Sequence, residues 1–75
     1  MIPASFSNHW PQDRISRLRD LQQNAKGRSI TLKAKNAGDR TVFVPYLSFW
    51  RDRTLLAGFF NLEEAERWLK RGLVR

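Results

Sequence analysis

The stretch that decides the fold is RTVFVPYLSFW (40–50), RDR (51–53), TLLAGFF (54–60) and NLEEAERWLKRG (61–72). It reads as two strands joined by a tight turn and followed directly by a helix. Asn61 is a good N-cap, because its side-chain oxygen can accept an orphan N–H of the first turn, and Glu64 completes a variant of the capping box. Phe60 is placed to staple onto Ala65 across that cap. Leu62, Ala65, Trp68, Leu69 and Leu73 recur at helical spacing and form the buried face, while Glu63, Glu66, Arg67, Lys70 and Arg71 stay wet. Acids come early and bases late, which complements the helix dipole, and Gly72 ends the helix.

The strand from Thr41 to Trp50 is apolar on both faces. Val42, Val44, Tyr46 and Trp50 share one side, and Phe43, Leu47 and Phe49 share the other. Two-sided apolarity means that both faces are covered or that one is a docking surface. Pro45 lacks a ladder donor and predicts an edge position or a nearby bulge. The strand from Thr54 to Phe60 alternates Leu55, Ala57 and Phe59 with Leu56 and Phe60, and Gly58 predicts a close backbone approach or a bulge.

Upstream, Arg28 to Lys35 shows a clean period of two. Ile30, Leu32 and Ala34 point one way; Ser29, Thr31, Lys33 and Lys35 point the other. Asn36-Ala37-Gly38-Asp39 then supplies turn residues for a hairpin. Before it, Ile15, Leu18, Leu21 and Ala25 make a narrow helical stripe from Gln12 onward. Pro11 suits the helix start, Asn8 or His9 can help cap it, and Gly27 fits a left-handed residue just past its end. Residues 1–9 read as a flexible arm with Phe6 as an anchor. The expected fold is α+β in one small domain spanning residues 1–75. An N-terminal helix precedes a three-stranded antiparallel sheet, and a C-terminal helix packs on that sheet. The N-terminal helix is expected over part of the sheet's second face or along an edge.

Seventy-five residues bury only about 60% of the surface that the unfolded chain exposes, so each large ring matters to stability. With no cysteine, neither a disulfide nor a thiolate metal site can staple the fold. No apolar run approaches the ~20 residues of a membrane-spanning helix, and the N-terminus lacks the basic start and apolar core of a signal peptide. A cytoplasmic protein that does not enter a membrane is the expectation. The single histidine, His9, has no paired acid or nucleophile, and the aspartates are scattered singly. No catalytic residue, metal site, phosphate loop or cofactor is expected.

The formal net charge of +7 points to a polyanion or an acidic partner. Arg28, Lys33, Lys35, Arg40, Arg51 and Arg53 stud the sheet and its turns, where they can contact phosphates, and Trp50 and Tyr46 can add stacking or sugar contacts. A second basic group, Arg67, Lys70, Arg71 and Arg75, is accounted for by the helix C-terminus. The function this favours is a small non-enzymatic module that binds DNA or RNA through a basic sheet, of a regulatory kind. The alternative is an adaptor or inhibitor that docks an acidic protein through Phe43, Leu47, Phe49 and Leu56, aromatic and apolar side chains with arginines nearby.

The run Leu56-Ala57-Gly58-Phe59-Phe60, its sequel Asn61-Leu62-Glu63-Glu64-Ala65, and Trp68-Leu69 carry a resemblance. Over residues 40–70 the chain resembles the sheet-and-helix DNA-binding domains of plant ethylene-response factors and the arm-binding domains of phage-type integrases. The resemblance implies that the sheet enters the DNA major groove with Arg and Trp on its open face. The matching positions are Lys33, Lys35, Arg40, Trp50, Arg51 and Arg53. The second strand differs from that pattern in carrying Phe43, Pro45, Leu47 and Phe49.

Overall fold

The computed structural model describes residues 2–72. Helix α1 (Ala4–His9) and helix α2 (Gln12–Lys26) precede strands β1 (Thr31–Asn36), β2 (Pro45–Arg51) and β3 (Thr54–Phe59), and helix α3 (Leu62–Gly72) follows. The sheet is an antiparallel meander in the order β1-β2-β3. The α+β architecture expected from the sequence is present, with a second short helix at its start. Leu73 and Arg75 lie outside the described residues.

Strand pairing sorts the side chains. Leu32 faces Phe49 and Ala34 faces Leu47 across β1 and β2, while Phe49 faces Ala57 and Leu47 faces Phe59 across β2 and β3. These six residues share one face. Leu47 and Phe49 at its centre have no exposed surface, and Trp68 of α3 stacks on Phe49 with ring centroids 4.5 Å apart. Ile15, Leu18, Leu21 and Ala25 of α2 and Leu62, Ala65 and Leu69 of α3 join the same buried cluster. Both long helices therefore lie side by side on one face; of the two expected positions α2 takes the one along an edge, beside β1, and leaves the second face uncovered. The physical reason is area: neither helix alone spans three strands, and the apolar face needs both.

The two helices are tied by charge where their flanks meet. Arg14 Nη1 lies 3.1 Å from Glu63 Oε2, and Arg17 Nη2 lies 2.5 Å from Glu66 Oε1 and 3.4 Å from Glu63. The hydrogen bond from Arg14 holds the Glu63 carboxyl below its ordinary range, and the bond to Glu66 raises the Arg17 guanidinium.

Several local expectations change. The segment read as a flexible arm carries α1, whose Phe6 is fully buried and meets Trp10 and Phe43 edge-on at about 5 Å. His9 stacks on Phe43 at 4.4 Å, and its Nδ1 bonds the Ser5 carbonyl rather than capping α2, which starts after Pro11 without a side-chain cap. At the other end of α2, Gly27 stays right-handed and Ser29 takes the left-handed turn at φ 63°. The second strand begins at Pro45, not Thr41. Asn36 Oδ1 accepts the Gly38 and Val44 N–H groups, and Asp39 Oδ1 accepts those of Thr41 and Val42. Those bonds close residues 36–44 into an ordered loop, with the Thr41 hydroxyl lowering the Asp39 carboxyl. Pro45 sits at the first residue of the central strand, where its missing donor is tolerated, rather than on an edge.

The bulge falls at Leu55–Leu56, where the register slips opposite Trp50. Gly58 instead accommodates a close approach, because the Tyr46 phenol lies where a β-carbon would project. At α3, Asn61 Oδ1 accepts the Glu64 N–H at 2.7 Å, as expected of the cap. Phe60 does not staple; it is 58% exposed and turns to Tyr46, 5.2 Å away.

Candidate nucleic-acid interface

The alternation that sends Leu47 and Phe49 into the core sends Tyr46, Ser48 and Trp50 to the opposite face. Lys35 pairs with Tyr46, Lys33 with Ser48, and Ser48 with Gly58, so these residues share that face. Among the described residues no helix packs on it. The result is an open sheet surface with two lysines on β1, two aromatic rings on β2, and Phe60 at the end of β3.

Its side chains are fixed by one another. The Trp50 indole Nε1 donates to Ser48 Oγ at 2.9 Å, and Ser48 Oγ approaches the Lys33 carbonyl at 3.5 Å. Ser48 is 5% exposed beneath them. The Lys33 ammonium stands 5.0 Å from the Trp50 ring centroid, within cation–π range. A glycine at position 58 lets the Tyr46 ring lie low across β3 beside Phe60. Such a surface offers flat π faces and exposed ammonium groups, the chemistry that bases, sugars and phosphates recognise.

The expected basic residues divide. Lys33, Lys35 and Trp50 meet on the open face. Arg51 and Arg53 lie at the β2–β3 turn and are exposed, as is Arg40 in the loop at the opposite end of the sheet. Asp52 and Arg53 both adopt positive φ, 51° and 66°, which gives a two-residue hairpin turn. Arg28 belongs elsewhere. Its Nη1 reaches the Leu69 carbonyl of α3 at 3.5 Å, and its own carbonyl accepts from Arg51 Nη2 at 3.1 Å. Arg28 thus ties the helical layer to the hairpin end.

The alternative protein-docking set does not assemble. Leu47 and Phe49 are buried in the core, and Phe43 is half-buried against α1, so of the four Leu56 alone is exposed. Leu55 and Phe60 join it along β3 and its end. Ser48 escaped the sequence reading. Its signal was a small polar residue in an apolar strand, on the same parity as Tyr46 and Trp50.

Among the described residues no group of three His, Cys, Asp or Glu side chains is arranged to hold a metal ion, and no helix is long and apolar enough to cross a membrane. No protein-family model matches the chain, and neither a curated protein nor a solved structure matches it.

Proposed function

We propose that the chain is a small non-enzymatic nucleic-acid-binding module whose contact surface is the open face of the sheet. The observation that carries this reading is the placement of both helices on one face. It leaves Lys33, Lys35, Tyr46 and Trp50 together on the other. Arg51 and Arg53 at one end and Arg40 at the other extend the positive surface along the strands. The resemblance of residues 40–70 to ethylene-response-factor and integrase arm-binding domains supports the same reading. Of Phe43, Pro45, Leu47 and Phe49, which set the second strand apart from that pattern, Leu47 and Phe49 are buried in the core, Phe43 packs on Phe6, and Pro45 stands at the strand's first residue.

The test is a titration of a random-sequence DNA duplex and a single-stranded RNA against the protein at several salt concentrations. Affinity should fall steeply with salt. Reversing Lys33 and Lys35 to glutamate should weaken binding at least on the order of tens of fold near 0.1 M salt, since two phosphate contacts are lost. Unchanged binding by the double variant would remove these residues from the site.

A protein partner is the second reading, favoured by the exposure of Leu55, Leu56 and Phe60. It requires salt-tolerant association with an acidic protein that Phe60→Ala abolishes.

A further inference from the structure

A groove of about 420 Å³ runs between α2 and the free edge of β1, lined by Arg19, Gln22, Gln23, Lys26, Thr31 and Leu32, with Ile30 also at its wall. The four α2 residues fall at helical spacing on one stripe beside the core-facing residues. None of the ion pairs among the described residues engages Arg19 or Lys26. Gln22 Nε2 donates to the Leu32 carbonyl at 3.4 Å, so Leu32 turns its backbone polar groups outward at this edge. Antiparallel alternation then directs the Leu32 N–H to the same side, into the groove. Two cations, two side-chain amides and an outward N–H converge here without a carboxylate in the lining.

We infer that this groove holds a sugar-phosphate backbone. The inference rests on the nucleic-acid reading of the open face and extends it to a second contact. Strands lie about 4.8 Å apart, so a three-stranded sheet measures roughly 10 Å between its edge strands. The major groove of a DNA duplex is about 12 Å wide. A sheet lying in that groove brings each edge strand against a wall of phosphates. The β3 edge, Thr54 to Phe59, carries no charged residue, whereas the β1 edge has Lys33 and Lys35 on its open side and Arg19 and Lys26 behind it. Thr31, exposed on the open side of β1 and also part of the groove lining, makes the two surfaces continuous. The β1 edge is the phosphate-holding edge.

The experiment compares the full chain with Arg19→Gln/Lys26→Gln, using a random-sequence duplex. Both side chains are exposed and glutamine preserves helix propensity, so the fold is kept; circular dichroism checks it. The salt slope, log K against log salt, should shrink by about 2, at roughly 0.9 per lost phosphate contact. The weakening should be equal across duplex sequences. In the unaltered protein, the side-chain amide NMR signals of Gln22 and Gln23 should shift on titration with the duplex. An unchanged slope and unmoved amide signals, with binding still abolished by charge reversal at Lys33 and Lys35, would overturn the groove and leave the open-face reading standing. Absence of duplex binding by the unaltered protein at low salt would overturn both.

Discussion

The two faces of the sheet come from the same three strands and differ by one residue of phase. On one face Leu32, Ala34, Leu47, Phe49, Ala57 and Phe59 meet α2 and α3. On the other Lys33, Lys35, Tyr46, Trp50 and Gly58 face solvent, with Ser48 buried beneath them. The first face is held by packing against the two helices that flank the sheet in the chain, and the second by contacts within the sheet itself. On the proposed reading, stability and recognition fall to different side chains of the same strands. Each can be altered without the other.

The largest effect should come from the core side. Phe49 has no exposed surface and touches Phe59 and Trp68, so Phe49→Ala should cost about 3–5 kcal/mol. In a domain this small that approaches the entire folding free energy, and denaturant melts should show a largely unfolded variant. A stably folded Phe49→Ala protein would break the division of labour. The complementary change, Lys33→Glu/Lys35→Glu, should leave the melt within about 1 kcal/mol of the parent, as surface substitutions do, while nucleic-acid binding collapses. The groove variant Arg19→Gln/Lys26→Gln should weaken binding less than the open-face reversal.

The Asp52–Arg53 turn sharpens the comparison further. Arginine is costly in the left-handed region, and this turn type prefers glycine at its second central position. Arg53→Gly should raise stability by about 0.5–1 kcal/mol and weaken binding. A gain in both would separate Arg53 from the interface. The smallest effect concerns pH. Glu63 has a folded-state value below that of the unfolded chain, chiefly through Arg14. Its contribution is complete above the usual glutamate range and is lost as pH falls through that range toward the lower folded value. Exposed pairs of this kind contribute at most about 1 kcal/mol, so Glu63→Gln should flatten the acid limb of the stability curve only slightly.

Helix α3, both hairpins and the phase of β1 are legible in the sequence because each is specified locally. Asn61 caps, Lys33 and Lys35 alternate with Leu32 and Ala34, and Asp52-Arg53 separates two apolar runs. The placement of α2 is not legible. Its stripe of Ile15, Leu18, Leu21 and Ala25 states that one side is buried, not which sheet face buries it. Helix α1 is short and has one buried residue, Phe6, too little for a period to register. The start of the second strand is not legible, because side-chain bonds from Asn36 and Asp39 hold residues 41–44 out of the sheet. In the site, Lys33, Lys35 and Trp50 were legible from parity. The α2–β1 groove was not, since Arg19 and Lys26 acquire their meaning from an edge strand that tertiary packing sets beside them.

The irregularity at Leu55–Leu56 has a consequence for how the chain keeps to itself. A strand edge with no charged residue and two exposed leucines is a template onto which another chain's strand can add, the first step of aggregation. The β1 edge guards against this with Lys33 and Lys35. The β3 edge has no such charges, but its extra residue breaks the even spacing of outward N–H and C=O groups and increases the local twist. An incoming strand meets a ladder with a missing rung, and the exposed leucines are left without the flat sheet that would let them nucleate a fibril.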